Sequence, residues 1–369
     1  CGFIRYAGFT PEGGIRAPIR YVGQGSEQEF DACDVDGRIA LVDLVASRSA
    51  PIPERLFTHD VSNTLKATGT MEDFAENWPI DNLARSYSLA SDRGAAGYVG
   101  ILTFTVADNP QYHHWYADGS LPGLTISPRA GARLRDQLAR GDFEASMVLT
   151  GQERTGPISD VSATLAGRTT ETIVVHTHHD GWAVNEASGC AVVLALAKHF
   201  AECPKESLRR TLRFVAFDSH FGKRRAKPSY WEKMLPNVVA AVSIEMIARH
   251  FRIEAGEYVD TGLVSPTVFG VSQANPDLLG IVRKAIVEHN LDRSAVVGRF
   301  FGDGNEYSKR GIPLIERIAH NAPQFTSDDT LDRVMVPVLR PTVSAFVDII
   351  RSLDSMSAGT LAGIVPDPD

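Results

Sequence analysis

Three histidines and an aspartate lie within one short stretch of the chain, residues 173–189. The stretch reads Ile-Val-Val-His-Thr-His-His-Asp-Gly-Trp-Ala-Val-Asn-Glu-Ala-Ser-Gly. Imidazole nitrogens and carboxylate oxygens are ligands that zinc and several other transition metals bind in proteins. A β-branched run precedes the cluster, and an apolar segment of helical length follows the Ser-Gly pair. Because ligands of α/β proteins bind where strands end, the stretch predicts a metal site at the carboxyl edge of a sheet.

From about Asp160 onward, predicted strands alternate with predicted helices. We predict strands over 161–165, 171–178, 210–218, 238–247 and 314–318, and helices over 188–201, 227–234, 276–289 and 335–353. This alternation indicates an α/β fold with a mainly parallel or mixed sheet sandwiched by helices. Residues 1–155 differ, because they read as short strands punctuated by glycine and proline. We therefore predict a smaller β-rich domain over 1–155, the α/β domain over 156–356 and a flexible tail over 357–369.

The composition bounds the class of protein and its partners. With 369 residues, 43% hydrophobic and 22% charged, the chain reads as a soluble globular protein with ample material for buried cores. Its formal net charge of −8 argues against nucleic acid as a partner, since phosphate-binding surfaces are usually basic. No apolar run approaches the roughly 20 residues that span a bilayer, so no membrane partner is expected.

The four cysteines are scattered and form no Cys-x-x-Cys pair. This pattern argues against a disulfide framework and against a structural zinc knuckle, and reduced thiols favour a cytoplasmic location. The chain begins at Cys1 without a methionine. Removal of an N-terminal leader is the alternative that this start leaves open.

The second half of the chain resembles a known family over roughly residues 158–355. The motifs that carry the resemblance follow the family's order: His178-His179-Asp180 (His-x-Asp), Asn185-Glu186-Ala187-Ser188-Gly189 (Asp-x-x-Ser-Gly), Phe214 to Asp218 before the usual Glu-Glu, Ile244-Glu245-Met246 where aspartate is usual, Gly311-Ile312-Pro313, and Phe325 to Thr330 (Tyr-His-Thr-x-x-Asp-Thr). The family is that of the di-zinc aminopeptidases. It includes glutamate carboxypeptidase II and, as a non-catalytic relative, the transferrin receptor.

The first half resembles the protease-associated domain that often precedes this catalytic domain. The similar segments run from Arg93 to Val99 and from Leu121 to Ser127. Together the two resemblances imply a zinc-aminopeptidase-like fold and a small-molecule or short peptide substrate. A homodimer is the assembly that we consider possible.

The resemblance assigns roles to three residues on the first-metal side. Peptidases of this family need two metal ions, a carboxylate that bridges them and a carboxylate base for the attacking water. His178 stands at the position of a first-metal ligand, and Asp180 stands where a carboxylate orients that histidine. Glu245 replaces the aspartate that binds the first metal, and its carboxylate is competent for the same role.

The positions on the second-metal side are altered. Asn185 stands at the bridging position, where a neutral amide does not offset the charge of two dications. His220 stands where the base glutamate belongs, Phe221 where a second-metal ligand belongs and Phe325 where the terminal histidine belongs. We therefore predict one divalent ion, zinc or iron, and no two-zinc cluster.

Two roles stay open for His220. With His178 and Glu245 it makes a set of two imidazoles and one carboxylate, which suits a single catalytic zinc or a mononuclear iron(II). Without a metal bond it could act as the general acid or base, because imidazole titrates near neutrality. Asp180 completes the predicted catalytic set.

Substrate contacts are predicted from five polar residues near these positions: Asn185, Glu186, Asp303, Glu306 and Tyr307. The last three precede Gly311, where the family lines its pocket, and a glycine-rich surface turn is the alternative for them. Asn185 could instead cap the helix that follows, and Glu186 could supply a carboxylate if the turn is displaced. Ser188 follows no base, so we do not expect a serine nucleophile.

Three functions are compatible with these residues. The first is a metal-dependent hydrolase with a mononuclear site that cleaves an amide or related bond in a small substrate. The second is a catalytically silent homologue used for binding or assembly, and the third is a mononuclear non-haem iron enzyme on the same fold. Decay would be expected to remove His178 and Asp180 and to fill the pocket with apolar side chains. Their retention, with the gain of His220, favours the hydrolase.

Overall fold

The structure is a computed structural model. It describes residues 1–46, 82–112, 117, 119–152, 154, 156–181, 184, 187–218, 228–272, 275–291, 293–298, 300 and 302–362. The predicted site residues Asn185, Glu186 and His220 lie outside these residues, as does Phe221. Among the described helices, none combines the length and the apolar character needed to cross a membrane.

Strands and helices alternate through much of the described chain. The strands are β1 (Gly2–Phe3), β2 (Ile15–Tyr21), β3 (Ile39–Leu44), β4 (Gly97–Leu102), β5 (Gly123–Ile126), β6 (Glu144–Met147), β7 (Val161–Leu165), β8 (Thr172–His178), β9 (Thr211–Phe217), β10 (Val238–Ile244), β11 (Arg249–Glu254), β12 (Glu257–Val264), β13 (Thr267–Val271), β14 (Ser294–Val297) and β15 (Leu314–Ala319). The helices are α1 (Glu27–Asp31), α2 (Leu83–Asp92), α3 (Pro128–Leu138), α4 (Ser188–Ala201), α5 (Pro228–Met234), α6 (Pro276–Glu288), α7 (Asn305–Ser308), α8 (Val336–Ser355) and α9 (Ala358–Ala362). Two 3-10 turns lie at Lys205–Ser207 and Leu331–Arg333.

The first sheet lies within residues 2–147 and has the strand order β1-β5-β4-β3-β2-β6. Its central strands β2 to β5 are parallel, and β1 and β6 add to its two edges antiparallel. Tyr87 of α2 packs against one face and Leu134 of α3 against the other. One helix therefore covers each face of this sheet.

The second sheet lies within residues 161–319 and has the strand order β14-β13-β15-β10-β8-β9-β7. Strands β15, β10, β8 and β9 are parallel to one another, whereas β7 pairs antiparallel with β9 and β13 pairs antiparallel with β15. Every residue of β8 is buried, which matches its continuous β-branched run. The predicted mixed sheet is confirmed.

Helices cover both faces of this sheet. On one face α4, α6 and α8 bury Leu196, Val282 and Phe346 in a large apolar cluster. On the other face α5 and α7 contribute Trp231 and Tyr307 to a smaller one. The predicted sandwich is therefore present.

Several features of the strands were not predicted, among them the strands β13 and β14 themselves. Strand β10 ends at Ile244 rather than at residue 247, because Met246 adopts a left-handed conformation with φ 56° that ends the strand. The β11–β12 hairpin follows, and its turn contacts the first half of the chain, where the amide of Ala107 donates to the carbonyl of Gly256 (2.8 Å).

Because β8, β10 and β15 are parallel neighbours, their carboxyl ends meet at one edge of the sheet.

Candidate metal centre

His178, Glu245 and Asp303 come together at this edge. Each offers one ligand-type atom, and these atoms lie within 4.8 Å of one another. His178 and Glu245 are each 1% exposed, and Asp303 is half-buried. The first two residues were predicted metal ligands. Asp303 was predicted to contact substrate, and the structure places its carboxylate beside the other two residues.

His178 is the last residue of β8, and its ring lies between two acidic residues. Its Nε2 is 3.6 Å from Oε2 of Glu245, and its Nδ1 is 3.8 Å from Oδ1 of Asp180. Burial alone would lower the pKa of His178, but the adjacent carboxylate of Glu245 and the charges of Asp303 and Asp180 outweigh it and raise that pKa. The side chain therefore sits where a positive charge is stabilised.

Glu245 directly follows β10, and several groups hold its carboxylate and its main chain. Its Oε1 accepts hydrogen bonds from Ser243 Oγ (3.0 Å) and from the amide of Asp303 (3.1 Å). Arg317 of β15 donates from Nη1 to the carbonyls of Glu245 (2.9 Å) and Met246 (2.8 Å). Burial lowers the pKa of Arg317 to about 9. These contacts leave Oε2 directed at His178.

Asp303 does not lie at a strand end. It lies in the segment between β14 and α7. The chain leaves β14, and the amide of Gly302 donates to Oε1 of Glu316 in β15 (2.8 Å). The next amide, that of Asp303, reaches Glu245. Glu316 and Arg317 were not singled out from the sequence, although a Glu-Arg pair inside the buried strand Leu-Ile-Glu-Arg-Ile-Ala is a signal that could have identified them.

Ser188 has a structural role in the turn before α4. Its Oγ donates to the carbonyl of Val184 and accepts from the amide of Ile247 (2.9 Å). Asp329 accepts from the amide of Val184 through Oδ1 (3.0 Å). Ser188 therefore connects the stretch after His178 to the stretch after Glu245.

Phe325, at the position predicted for the lost second-metal histidine, is 3% exposed. It packs in the apolar cluster of the first half of the chain, and its ring meets that of Tyr112 edge to face with centroids 5.7 Å apart. Its φ of 64° is in the left-handed region, where a bulky residue needs support from its surroundings. An aromatic contact between the two halves of the chain thus occupies this position.

Three further residues make their contacts outside the cluster: the predicted substrate residues Glu306 and Tyr307, and His179 of the His-x-Asp motif. Glu306 of α7 forms ion pairs with Lys309 (3.4 Å) and Arg310 (2.7 Å), which follow that helix. Tyr307 is wholly buried and stacks on His176 with ring centroids 4.9 Å apart, so it presents no surface to a substrate. His179 is exposed, and its Nε2 bonds to the carbonyl of Ser159 (3.0 Å). The structure thus unites three of the predicted residues around His178 and leaves Glu306 and Tyr307 outside.

The three grouped side chains fit a divalent ion by the chemistry of their donors. One imidazole and two carboxylates are a ligand set that zinc, iron(II) and manganese accept. Two carboxylates beside a buried histidine also concentrate negative charge, and a bound cation would compensate that charge. Within the described residues the other such group is Glu288, His289 and Asp348, which lies on the surface, with His289 and Asp348 already joined at 2.7 Å.

Comparison with known proteins agrees with the fold. The family model of Peptidase family M28 matches residues 160–347. A Peptidase M28 precursor from Shewanella amazonensis SB2B has a TM-score of 0.68 at 18% identity, with 100% of this chain and 79% of that chain covered. The zinc aminopeptidase BSAP from Bacillus subtilis has a TM-score of 0.65 at 15% identity, with 98% and 80% covered. An aminopeptidase from Aneurinibacillus sp. strain AM-1 has a TM-score of 0.50 at 16% identity, with 98% and 79% covered.

At these identities the solved structures are similar in fold, and they confirm the predicted aminopeptidase-like α/β architecture. No curated protein sequence matched the chain. The family model spans slightly more than half of the 369 residues and includes both His178 and Glu245. The chain therefore belongs to Peptidase family M28.

Proposed function

We propose that this protein is a metal-dependent hydrolase with a mononuclear site that cleaves an amide bond in a small molecule or short peptide. The observation that carries the proposal is the grouping of His178, Glu245 and Asp303, with their ligand-type atoms within 4.8 Å of one another. Membership of a peptidase family supports amide hydrolysis as the type of reaction.

The chain's own residues have distinct roles in this proposal. His178 Nε2 and the carboxylates of Glu245 and Asp303 hold the divalent ion, and Asp180 beside Nδ1 fixes the orientation of the imidazole ring. A divalent ion bound there supplies Lewis-acid polarisation of a carbonyl and lowers the pKa of a water molecule. His220 stays the predicted general base or additional ligand.

The residues at the positions of the second metal ion favour a site with one ion rather than two. Asn185 replaces a bridging carboxylate, and a neutral amide leaves the mutual repulsion of two dications without compensation. Phe325 replaces an imidazole and packs on Tyr112. Both substitutions remove donors from the second position while the donors around His178 are retained.

The same aromatic contact favours a second candidate function, a catalytically silent homologue used for binding. Apolar filling of a former ligand position is what loss of catalysis would produce, and Phe325 has this character. The iron enzyme depends on His220 as a second imidazole and stays a prediction.

The test is hydrolysis by metal-free protein reconstituted with one equivalent of zinc, and separately of iron(II), against aminoacyl-p-nitroanilides and dipeptides. We expect hydrolysis that depends on the metal and is lost in Glu245→Ala, with His289→Ala as the matched control that retains it. Bound metal without turnover on any substrate would support the binding homologue. Oxygen consumption with iron(II) would support the iron enzyme.

A further inference from the structure

Two buried glutamates accept hydrogen bonds from the main chain of the segment that carries Asp303. The amide of Gly302 donates to Oε1 of Glu316 (2.8 Å), and the next amide, that of Asp303, donates to Oε1 of Glu245 (3.1 Å). Glu316 is 0% exposed and Glu245 is 1% exposed. Two consecutive amides of one loop therefore donate to two carboxylates, one within β15 and one directly after the neighbouring strand β10.

Glu316 occupies a strand position at which its neighbours leave room for a carboxylate. In register, it lies beside Ser243 of β10 on one side and Gly270 of β13 on the other, and both are small. A carboxylate inside a sheet costs free energy unless hydrogen bonds or charges stabilise it, so an apolar residue is the usual choice there. Its presence calls for a specific role.

The loop packs directly against this carboxylate. A Cβ placed on Gly304 would lie 2.5 Å from Oε2 of Glu316, closer than real side-chain contacts allow. Oε1 of Glu316 thus accepts from the amide of Gly302, which precedes Asp303, and Oε2 lies against Gly304, which follows it. The path of the chain through Asp303 depends on this side chain.

We propose that Glu316 is a positioning residue that sets the place of the Asp303 carboxylate in the cluster, an inference that rests on the proposed metal site. Glu316 makes this contact through the main chain of the loop and acts on the metal only through Asp303. Loss of a group that supports a metal ligand typically weakens metal binding by about 10- to 100-fold. The same loss is expected for Glu316→Ala.

A double-mutant cycle tests whether Glu316 acts through Asp303. Zinc affinity of the full chain is measured by competition with a chromophoric chelator for the wild type, Glu316→Ala, Asp303→Ala and the double variant. We expect Glu316→Ala to weaken zinc binding about 10- to 100-fold, and to add less than about twofold once Asp303 is already alanine. Independent effects that multiply in the double variant would overturn the inference, as would an unchanged affinity in Glu316→Ala.

Two further variants separate positioning from general destabilisation. Glu316→Gln keeps an acceptor oxygen for the amide of Gly302 and is expected to recover most of the lost affinity. Ser272→Ala removes a comparable buried contact to β15, in which Ser272 Oγ accepts from the amide of Leu314 (2.9 Å), and is expected to leave zinc affinity unchanged. Equal losses of affinity in Ser272→Ala and Glu316→Ala would contradict a specific role.

Hydrogen exchange of the metal-free protein tests the hydrogen bond between Gly302 and Glu316 independently of metal binding. The amides of Gly302 and Asp303 are expected to exchange at least about tenfold faster in Glu316→Ala than in the wild type or in Ser272→Ala. Unchanged exchange overturns the inference whatever the metal does. If exchange accelerates but the wild type binds no metal, the proposed function fails while the support of the loop by Glu316 stands.

Discussion

His178→Ala is expected to weaken the binding of a divalent metal by roughly 100- to 1,000-fold. Binding of structural zinc is worth about 10–16 kcal/mol over its ligands, so removal of one ligand costs several kcal/mol, at about 1.4 kcal/mol per tenfold change. His178 supplies the imidazole of a set whose other described members are the carboxylates of Glu245 and Asp303. Its loss leaves a set of carboxylates that prefers harder cations to zinc.

The measurement is zinc affinity of metal-free protein, by calorimetry or chelator competition, with thermal unfolding of the metal-free variant as a check on folding. His289→Ala is the matched control, because His289 belongs to the surface group with Glu288 and Asp348. That variant is expected to keep the affinity of the wild type. If His178→Ala binds zinc as tightly as the wild type, or His289→Ala loses the tight site, the assignment of the site to His178 is wrong.

Gly189→Ala is expected to lower the free energy of unfolding by about 2–4 kcal/mol. Gly189 lies in the first turn of α4, where the helix packs on the sheet, and a Cβ there would lie 2.5 Å from the carbonyl oxygen of Ile244 and would overlap Thr177. Alanine favours a helix over glycine by about 0.5–1 kcal/mol, but overlap with main-chain atoms in a packed core costs more. The Ser-Gly pair is therefore required by packing. Denaturant unfolding of the metal-free protein measures the change.

Gly280→Ala is the control for this prediction, with the opposite sign. Gly280 lies within α6 and is exposed, and a Cβ added there would meet no atom within 4 Å apart from its own helix and chain neighbours. The substitution is therefore expected to raise the free energy of unfolding by about 0.5–1 kcal/mol through helix propensity. If Gly189→Ala is as stable as the wild type, the close approach of α4 to β10 is wrong.

Much of the second half of the fold could be predicted from sequence periodicity. Buried parallel strands such as β8 read as continuous β-branched runs, and α4 follows from its apolar segment after Gly189. The end of β10 could not be predicted, because Glu245 and Met246 leave the strand through a tertiary contact with Arg317. The hairpin β11–β12 was missed because its residues are largely polar and half-exposed on both faces.

The site was predictable only where strand ends determine it. His178 ends β8 and Glu245 directly follows the adjacent parallel strand β10, so their proximity could be inferred from the order of motifs. Asp303 lies between β14 and α7, next to Gly302, whose amide donates to Glu316 of β15, a contact that local sequence does not reveal. The burial of Phe325 likewise depends on Tyr112, more than 200 residues away in the chain.

The number of divalent ions per chain tests the central claim most directly. Protein purified without chelators, and metal-free protein titrated with zinc, would be measured by elemental analysis and calorimetry. We predict one tightly bound equivalent per chain, lost in Glu245→Ala and retained in His289→Ala. Two tight equivalents, or none under any loading condition, would contradict a single ion held by His178, Glu245 and Asp303.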